Sequence, residues 1–425
     1  MCPIYPNDHP LLALAEEGRL PEELNSILKR KAALPAEHTI QHVVGQLTPP
    51  SKLPTTNHDT FNCSIYTLHN KDYREESVSV PGDLVRDSHG LRYAEGTDPA
   101  VDQCWAGLKA TWEFYDTVLG RNSVDGKGLE LRASIHLGKD LGDAFWDHNS
   151  DQMFFGDGGR YPGPFDEART THLSTYAVDV LAHEVTHGIV AQESYIGKVK
   201  NVPDVPGNAV DLTNAARPAP LKEWTTELKQ KVAAFPKDQA EVLLKMEPET
   251  VNTLIHRTHP WNAATINEHI ADCFGMMVKH SKLNRALTDA DWNIGNGWWT
   301  KETVAKAQWQ GDYLRTFRNT EGIAQPDGDP KIWRPDIRYY SPLTDVHVYM
   351  GVGNHAFYQA ATRFGGKYWK KLGKIWYDAL RDDDFKLKKN QNYPGWRDLT
   401  IKHAKLVGDI EAQNVTDAWK IVNIV

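Results

Sequence analysis

The sequence predicts an α+β fold in which a β-rich N-terminal lobe and a mainly helical C-terminal lobe meet at one central helix, with a cleft between them. Three observations predict it. Residues 61–160 carry short apolar runs of strand character, "FNCSIYTLH", "LELRASIHL" and "DQMFFGDGG". The stretch "YAVDVLAHEVTHGIVAQE" spaces its apolar residues as a helix does, around a group of chemically active side chains. From about residue 263 the pattern is helical to the end of the chain.

Taken in order, residues 1–60 read as an N-terminal arm: "LLALAEEGRLPEELNSILKRKAAL" is helical in pattern and "LTPPSKLPTTNHDT" is a Pro/Thr-rich connector. Residues 61–197 hold the strands, one aromatic-rich helix, "AVDQCWAGLKATWEFYDTVL", and the central helix at about 176–193. In that helix Val178, Leu181, Val185 and Ile189 predict a single core face, with the active side chains turned elsewhere. Residues 198–260 look inserted. They start as Pro/Gly-rich loop and continue as charged helices, "PLKEWTTELKQKVAAF" and "DQAEVLLKME", whose charges nearly balance, the pattern of a solvated lid or subdomain. Residues 261–425 form the helical lobe, with a Trp-rich loop "DWNIGNGWWT" and helices near 351–364, 367–381 and 397–420.

Composition narrows the partners. A net charge of −8 over 425 residues, with neither half notably basic, argues against nucleic acid or an anionic membrane. No stretch approaches the length of a membrane span. "LLALA" is too short for a secretory apolar region and no cationic segment precedes it. Cys2, Cys63, Cys104 and Cys273 lie far apart, without metal-type spacing, and read as reduced thiols. The location these features predict is cytoplasmic, or exported without a recognisable signal peptide.

The chemistry is carried by His183-Glu184-Val185-Thr186-His187. Histidines four apart stand one turn above each other on a helix, so both imidazoles can reach one cation. The glutamate between them can take a proton from a water that the cation acidifies. A lone signature of this kind also fits a solvated polar face, so the third ligand decides. Glu193 would need a glycine at position 190 to turn the chain, and Val190 stands there. Better candidates are Glu268 and Asp272 in "INEHIADCFGMMV", four apart on a second helix whose apolar side is Ile270, Phe274 and Met277.

"VDVLAHEVTHG" and "INEHIADCFG", with "DAFWDHNSDQMFFGDGG" and "DVHVYMGVGNHAFYQAA", resemble the thermolysin family of zinc metallopeptidases over about 60–420. The resemblance implies a zincin fold and one zinc ion per chain held by His183, His187 and Glu268. It implies Glu184 as general base and His347 as the group that stabilises the oxyanion. Asn267 and Asp272 match residues that hold the ligand histidines in one tautomer, and Tyr195 stands near the place of a tyrosine that assists His347. His269 and His355 read as structural. The short N-terminal arm is similar to the protealysin-like branch, in which an N-terminal peptide can occupy the cleft, and a Cys2 thiolate could then reach zinc. A disordered start is the simpler alternative.

Departures from the family pattern bear on substrate. The family's asparagine that binds the substrate backbone is matched by Asp143, followed by Ala144, in "DAFW". The family's arginine falls in "EGIAQPDGDP", at Gln325, with no arginine nearby. In the family's double calcium site two acids match Asp179 and Asp291, whereas the others fall on Lys279, Asn293 and Asn296. A lysine there repels calcium and can pair with Asp179 or Asp291 instead, so calcium is not expected. The expected activity is endopeptidase action on a peptide or protein substrate. The rivals are an amidohydrolase for one small or modified peptide and a catalytically weak binding protein on the same scaffold.

Overall fold

The computed structural model describes residues 60–72, 78–91, 93–160, 170–171, 177–194, 196, 223–233, 243–248, 251, 258–284, 287, 290–309, 311–318 and 346–424. The N-terminal arm therefore lies outside the described residues, as does most of 198–260. Among the described residues no helix is long and apolar enough to cross a membrane.

The N-terminal lobe is built on a five-stranded mixed sheet of β1 (Cys63–Thr67), β2 (Asp83–Asp87), β3 (Leu131–Leu137), β4 (Ala144–Asp147) and β5 (Gln152–Gly156), in the order β2-β1-β3-β5-β4. The three central strands pair in parallel, and both edge strands are antiparallel to their neighbours. The central strands are the three apolar runs of the sequence. Both edge strands are absent from the sequence-based expectation: β2 is the charged "DLVRD" and β4 is four residues long, so neither shows strong alternation. Between β2 and β3 runs helix α1 (Pro99–Leu119). The Asp98 side chain caps its first turn by accepting from the Ala100 amide, Pro99 stands where no amide is needed, and Gly120 ends it at φ 67°.

Helix α2 (Val178–Ser194) carries the histidine motif. It is buried on every side from Asp179 to Ala191, which corrects the expectation of a single core face. Its polar residues are enclosed too, because α2 lies between the sheet and helix α4. On the sheet side the Trp146 ring of β4 fills the space over Gly188, where a Cβ would sit 2.6 Å from it.

After α2 the described chain contains α3 (Thr226–Ala233), within the first expected charged helix, and α4 (Thr258–Lys282). Helices α2 and α4 cross at Gly275, whose absent Cβ would stand 2.5 Å from the Asp179 carbonyl oxygen. This close approach puts the side chains of α4 against the histidine face of α2. The short helix α5 (Lys301–Ala307) follows the Trp-rich loop.

The C-terminal lobe adds α6 (Val346–Phe364), α7 (Lys371–Leu380), α8 (Tyr393–Val407) and α9 (Asp409–Ile421) around Trp376, Trp396, Trp419 and Phe385, all fully buried. The last helix of the sequence-based expectation is two helices. Gly408 ends α8, its amide donating to the Ala404 carbonyl, and the acids Asp409 and Glu411 favour the positive end of a new helix.

Gly275→Ala should destabilise the protein by about 1–3 kcal/mol, because the added methyl meets a backbone oxygen that cannot rotate away. Thermal unfolding checks this, and an unchanged melting temperature would mean that α2 and α4 have room to separate.

Candidate metal centre

At the crossing of α2 and α4, His183 and His187 project from one helix and Glu268 from the other, all buried. Each offers one ligand atom to a group lying within 4.8 Å. The two Nε2 atoms are 2.9 Å apart, and Glu268 Oε2 is 3.3 Å from that of His183 and 3.7 Å from that of His187.

The other side of each ring is held. His183 Nδ1 lies 2.9 Å from Asp272 Oδ1, and His187 Nδ1 lies 3.0 Å from Asn267 Oδ1. Both oxygens accept from the ring, so each Nδ1 carries a hydrogen and each Nε2 is left as the atom that can bind a metal. Neither oxygen of Glu268 has a hydrogen-bond partner, although both are buried. Two facing imidazole Nε2 atoms and a buried carboxylate without a hydrogen-bond donor fit a divalent cation, and two histidines with one carboxylate make the ligand set of a catalytic zinc.

The charge states agree with that fit. Burial pulls the His187 ring down to about 3, which keeps it neutral. Burial works against the Glu268 charge, but the rings of His187, His347 and His183 hold its carboxyl well below the usual range. His183 is pushed up to about 9: burial opposes this, and the carboxylates of Asp272 and Glu268 outweigh it. A metal entering here would displace that proton.

Glu184 stands between the histidines on α2, buried, with Oε2 lacking a hydrogen-bond partner, and burial pushes it up to about 7. From α6, His347 brings Nε2 to 3.6 Å from Glu268 Oε2. These two residues and His183 border a small cavity. Ala144, Val180, Trp298, Leu314 and Arg315 complete its lining. Asp143 is buried beside it and accepts from the Ala144 amide. Tyr195, Gln325 and Cys2 lie outside the described residues.

Arg315 corrects the expectation that no arginine stands near the cleft. It lines the cavity and grips Asp272 with Nε at 2.7 Å from Oδ2 and Nη2 on Oδ1. Asn354 of α6, also missed, donates to Asp272 Oδ2 at 2.7 Å and accepts from His269 Nδ1 at 2.9 Å. A signal existed for both: a carboxylate buried on a helix needs a cation and further donors, and "LRTFRN" and "GNHAF" supply them. His355 bonds the Phe317 carbonyl, and Glu193 pairs with Arg121. Neither belongs to the group of three converging ligand atoms.

Comparison with known proteins places these features. The model of the thermolysin metallopeptidase catalytic domain matches residues 49–191, and that of the thermolysin metallopeptidase alpha-helical domain matches residues 261–424. The chain is 28% identical over 377 residues to Protease PrtS of a Photorhabdus species, covering 86% of this chain and 77% of that one. It is 27% identical over 406 residues to an extracellular metalloprotease of Pectobacterium carotovorum, covering 92% and 90%. Among solved structures, the precursor of protealysin, a metalloproteinase from Serratia proteamaculans, superimposes with a TM-score of 0.61 at 26% identity, covering 88% and 90%. The extracellular relative overturns the location expected from composition. Cys63, Cys104 and Cys273 are free but buried among apolar side chains, where a reduced thiol reflects packing and says nothing of compartment.

Asp272→Ala should cost about 3–5 kcal/mol, since it leaves the buried Arg315 charge unpaired. Replacing Arg315 by Met in the same background should restore part of this. Chemical unfolding of the single and double variants measures it, and additive losses would show that the two residues do not act together.

Proposed function

This chain belongs to the thermolysin metallopeptidases, whose chemistry is zinc-dependent hydrolysis of peptide bonds, and we propose that in it His183, His187 and Glu268 hold the zinc, Glu184 is the general base and His347 stabilises the oxyanion. The observation that carries this reading is the convergence of three ligand atoms beside a buried glutamate whose Oε2 has no hydrogen-bond partner. Zinc held there would supply Lewis acidity, polarising the substrate carbonyl and acidifying water.

The residues of the chain do the rest. Glu184, near neutrality in its proton affinity, takes a proton at Oε2 from the attacking water and passes it to the leaving amine. His347, on α6, donates from its ring to the oxygen on which charge develops. Asp272 and Asn267 keep both ligand rings in the tautomer that leaves Nε2 free to bind metal. Arg315 adds a positive charge at the cavity wall, within reach of a substrate carbonyl. With an arginine present, narrow selectivity does not follow from a missing cation.

The second proposal concerns calcium. Lys279 Nζ donates to Asp179 Oδ2 at 3.1 Å, Asp291 Oδ1 at 2.7 Å and the Asn293 carbonyl at 2.7 Å. Burial lowers its proton affinity, but the two carboxylates raise it further, so the ammonium stays charged. It occupies an oxygen cage of the kind a hard cation would need, and the chain carries its own cation there. The likeness to a protealysin precursor supports reading residues 1–60 as a propeptide-like arm.

Glu268→Ala should lose the bound zinc, whereas Glu184→Gln should keep one zinc per chain and lose about 10²–10⁴ in kcat. His347→Ala should lose about 10²–10³ in kcat with metal retained. Native and denatured mass together with peptide hydrolysis measure all three, and full zinc occupancy in Glu268→Ala would mean that the third ligand is another residue. A calcium-selective chelator that spares zinc should leave activity and melting temperature unchanged. A large drop restored by calcium would refute the Lys279 reading.

A further inference from the structure

Helix α6 carries His347 in its first turn and Asn354 near its middle, and a side chain from another helix stands between them. An α-helix pairs each amide with the carbonyl four residues earlier, so the Gly353 amide belongs with the Tyr349 carbonyl. Here a hydroxyl joins that pair. The Gly353 amide donates to the Tyr393 hydroxyl at 3.2 Å, and the same hydroxyl donates to the Tyr349 carbonyl at 3.0 Å. A side chain that enters the amide-to-carbonyl ladder is one of the few things that sets the local direction of a helix.

The contact is prepared from both sides. On α6, Gly353 makes room for it: a Cβ there would stand 2.7 Å from Tyr393 Cε1 and 2.7 Å from Cγ and Nδ1 of His269. On α8, Tyr393 is the first residue, held by Asn392, which caps the helix by accepting from the Gly395 amide, and by Pro394 in the first turn. The Tyr393 ring is buried between Tyr349, at 5.3 Å, and Trp419 of α9, at 6.1 Å. Packing therefore fixes where the hydroxyl stands.

The two sides of this rung have different tasks. Beyond it, Asn354 is tied to Asp272 Oδ2 and His269 Nδ1, which anchors α6 on α4. Before it, His347 brings Nε2 to 3.6 Å from Glu268 Oε2. With Asn354 anchored, the geometry of the rung decides where His347 falls. We propose that Tyr393 is a positioning residue for peptide hydrolysis: its hydroxyl sets the rung from Tyr349 to Gly353 and so delivers His347 to the oxygen on which charge develops. This rests on the reading of His347 as the group that stabilises that oxygen.

The test is Tyr393→Phe, which keeps the ring and leaves the Gly353 amide and the Tyr349 carbonyl to pair directly. In the zinc-loaded enzyme kcat should fall roughly tenfold to a hundredfold, while KM and bound zinc stay as they are. The loss passes through His347, so in a His347→Ala background the same change should cost less than about twofold. Additive losses would overturn the proposal, as would an unchanged kcat in Tyr393→Phe where His347→Ala loses activity. Thr400→Val serves as the control for general loosening: it removes another buried hydrogen bond of α8, from Trp419 Nε1 to Thr400 Oγ1 at 2.9 Å, and should lower the melting temperature without changing kcat. An equal fall in kcat from Thr400→Val would mean that loosening alone explains the effect. Crystal structures of the wild type and Tyr393→Phe give a readout independent of turnover, in which His347 Nε2 should shift by about 1 Å relative to Glu268. An unmoved His347 overturns the proposal. If it moves while neither Tyr393→Phe nor His347→Ala changes kcat, the oxyanion reading fails and the positioning of His347 by Tyr393 stands.

Discussion

The buried carboxylate of Asp272 is the interaction on which the rest of the site depends. It is fully enclosed and accepts from three elements at once: His183 of α2, Arg315 after the Trp-rich loop, and Asn354 of α6. Burial alone would push its proton affinity up, but the Arg315 guanidinium and the surrounding donors hold it well below the ordinary carboxylate range. The carboxylate is therefore held in its charged form. Because Oδ1 accepts from His183, Oδ2 accepts from Asn354 and Arg315 spans both, the carboxylate orients the His183 ring and positions the Arg315 guanidinium in the same act.

That arrangement needs the helices to come unusually close. A carboxylate on α4 reaches a histidine on α2 only if the two backbones nearly touch, and Gly275 against the Asp179 carbonyl allows it. The same crossing is reinforced one turn away, where Lys279 of α4 bridges Asp179 of α2 and Asp291 in the loop that follows. Asp179 Oδ2 also accepts from the Gly295 amide. One residue of α2 thus joins the central helix, α4 and the Trp-rich loop that carries Trp298 to the cavity wall.

At the far end of α2, Arg121 performs the matching task between lobes. It is buried, pairs with Glu193 and donates to the Tyr377 hydroxyl of α7 at 3.0 Å. The central helix is therefore anchored at both ends by largely buried ion pairs, with His183 and His187 between them. Buried pairs of this kind add little net stability but penalise any arrangement that breaks them, which suits a site whose geometry must not drift. Trp146 on Gly188 fixes the remaining degree of freedom, the distance from helix to sheet.

What was legible in the sequence was local. Two histidines four apart around a glutamate share one helix face whatever surrounds it, and an acid pair four apart on a second helix offers a candidate third ligand, because helical periodicity needs no tertiary information. The central strands were legible for the same reason. The edge strands were not, since β2 and β4 take their conformation from the neighbours they pair with. Arg315 escaped because its partner is 43 residues away along the chain. Enclosure of α2 on every side also belonged to the tertiary structure. Periodicity reports which residues share a face, but only packing decides how many faces are covered, and in this chain Gly188 and Gly275 let a sheet and a helix close on both.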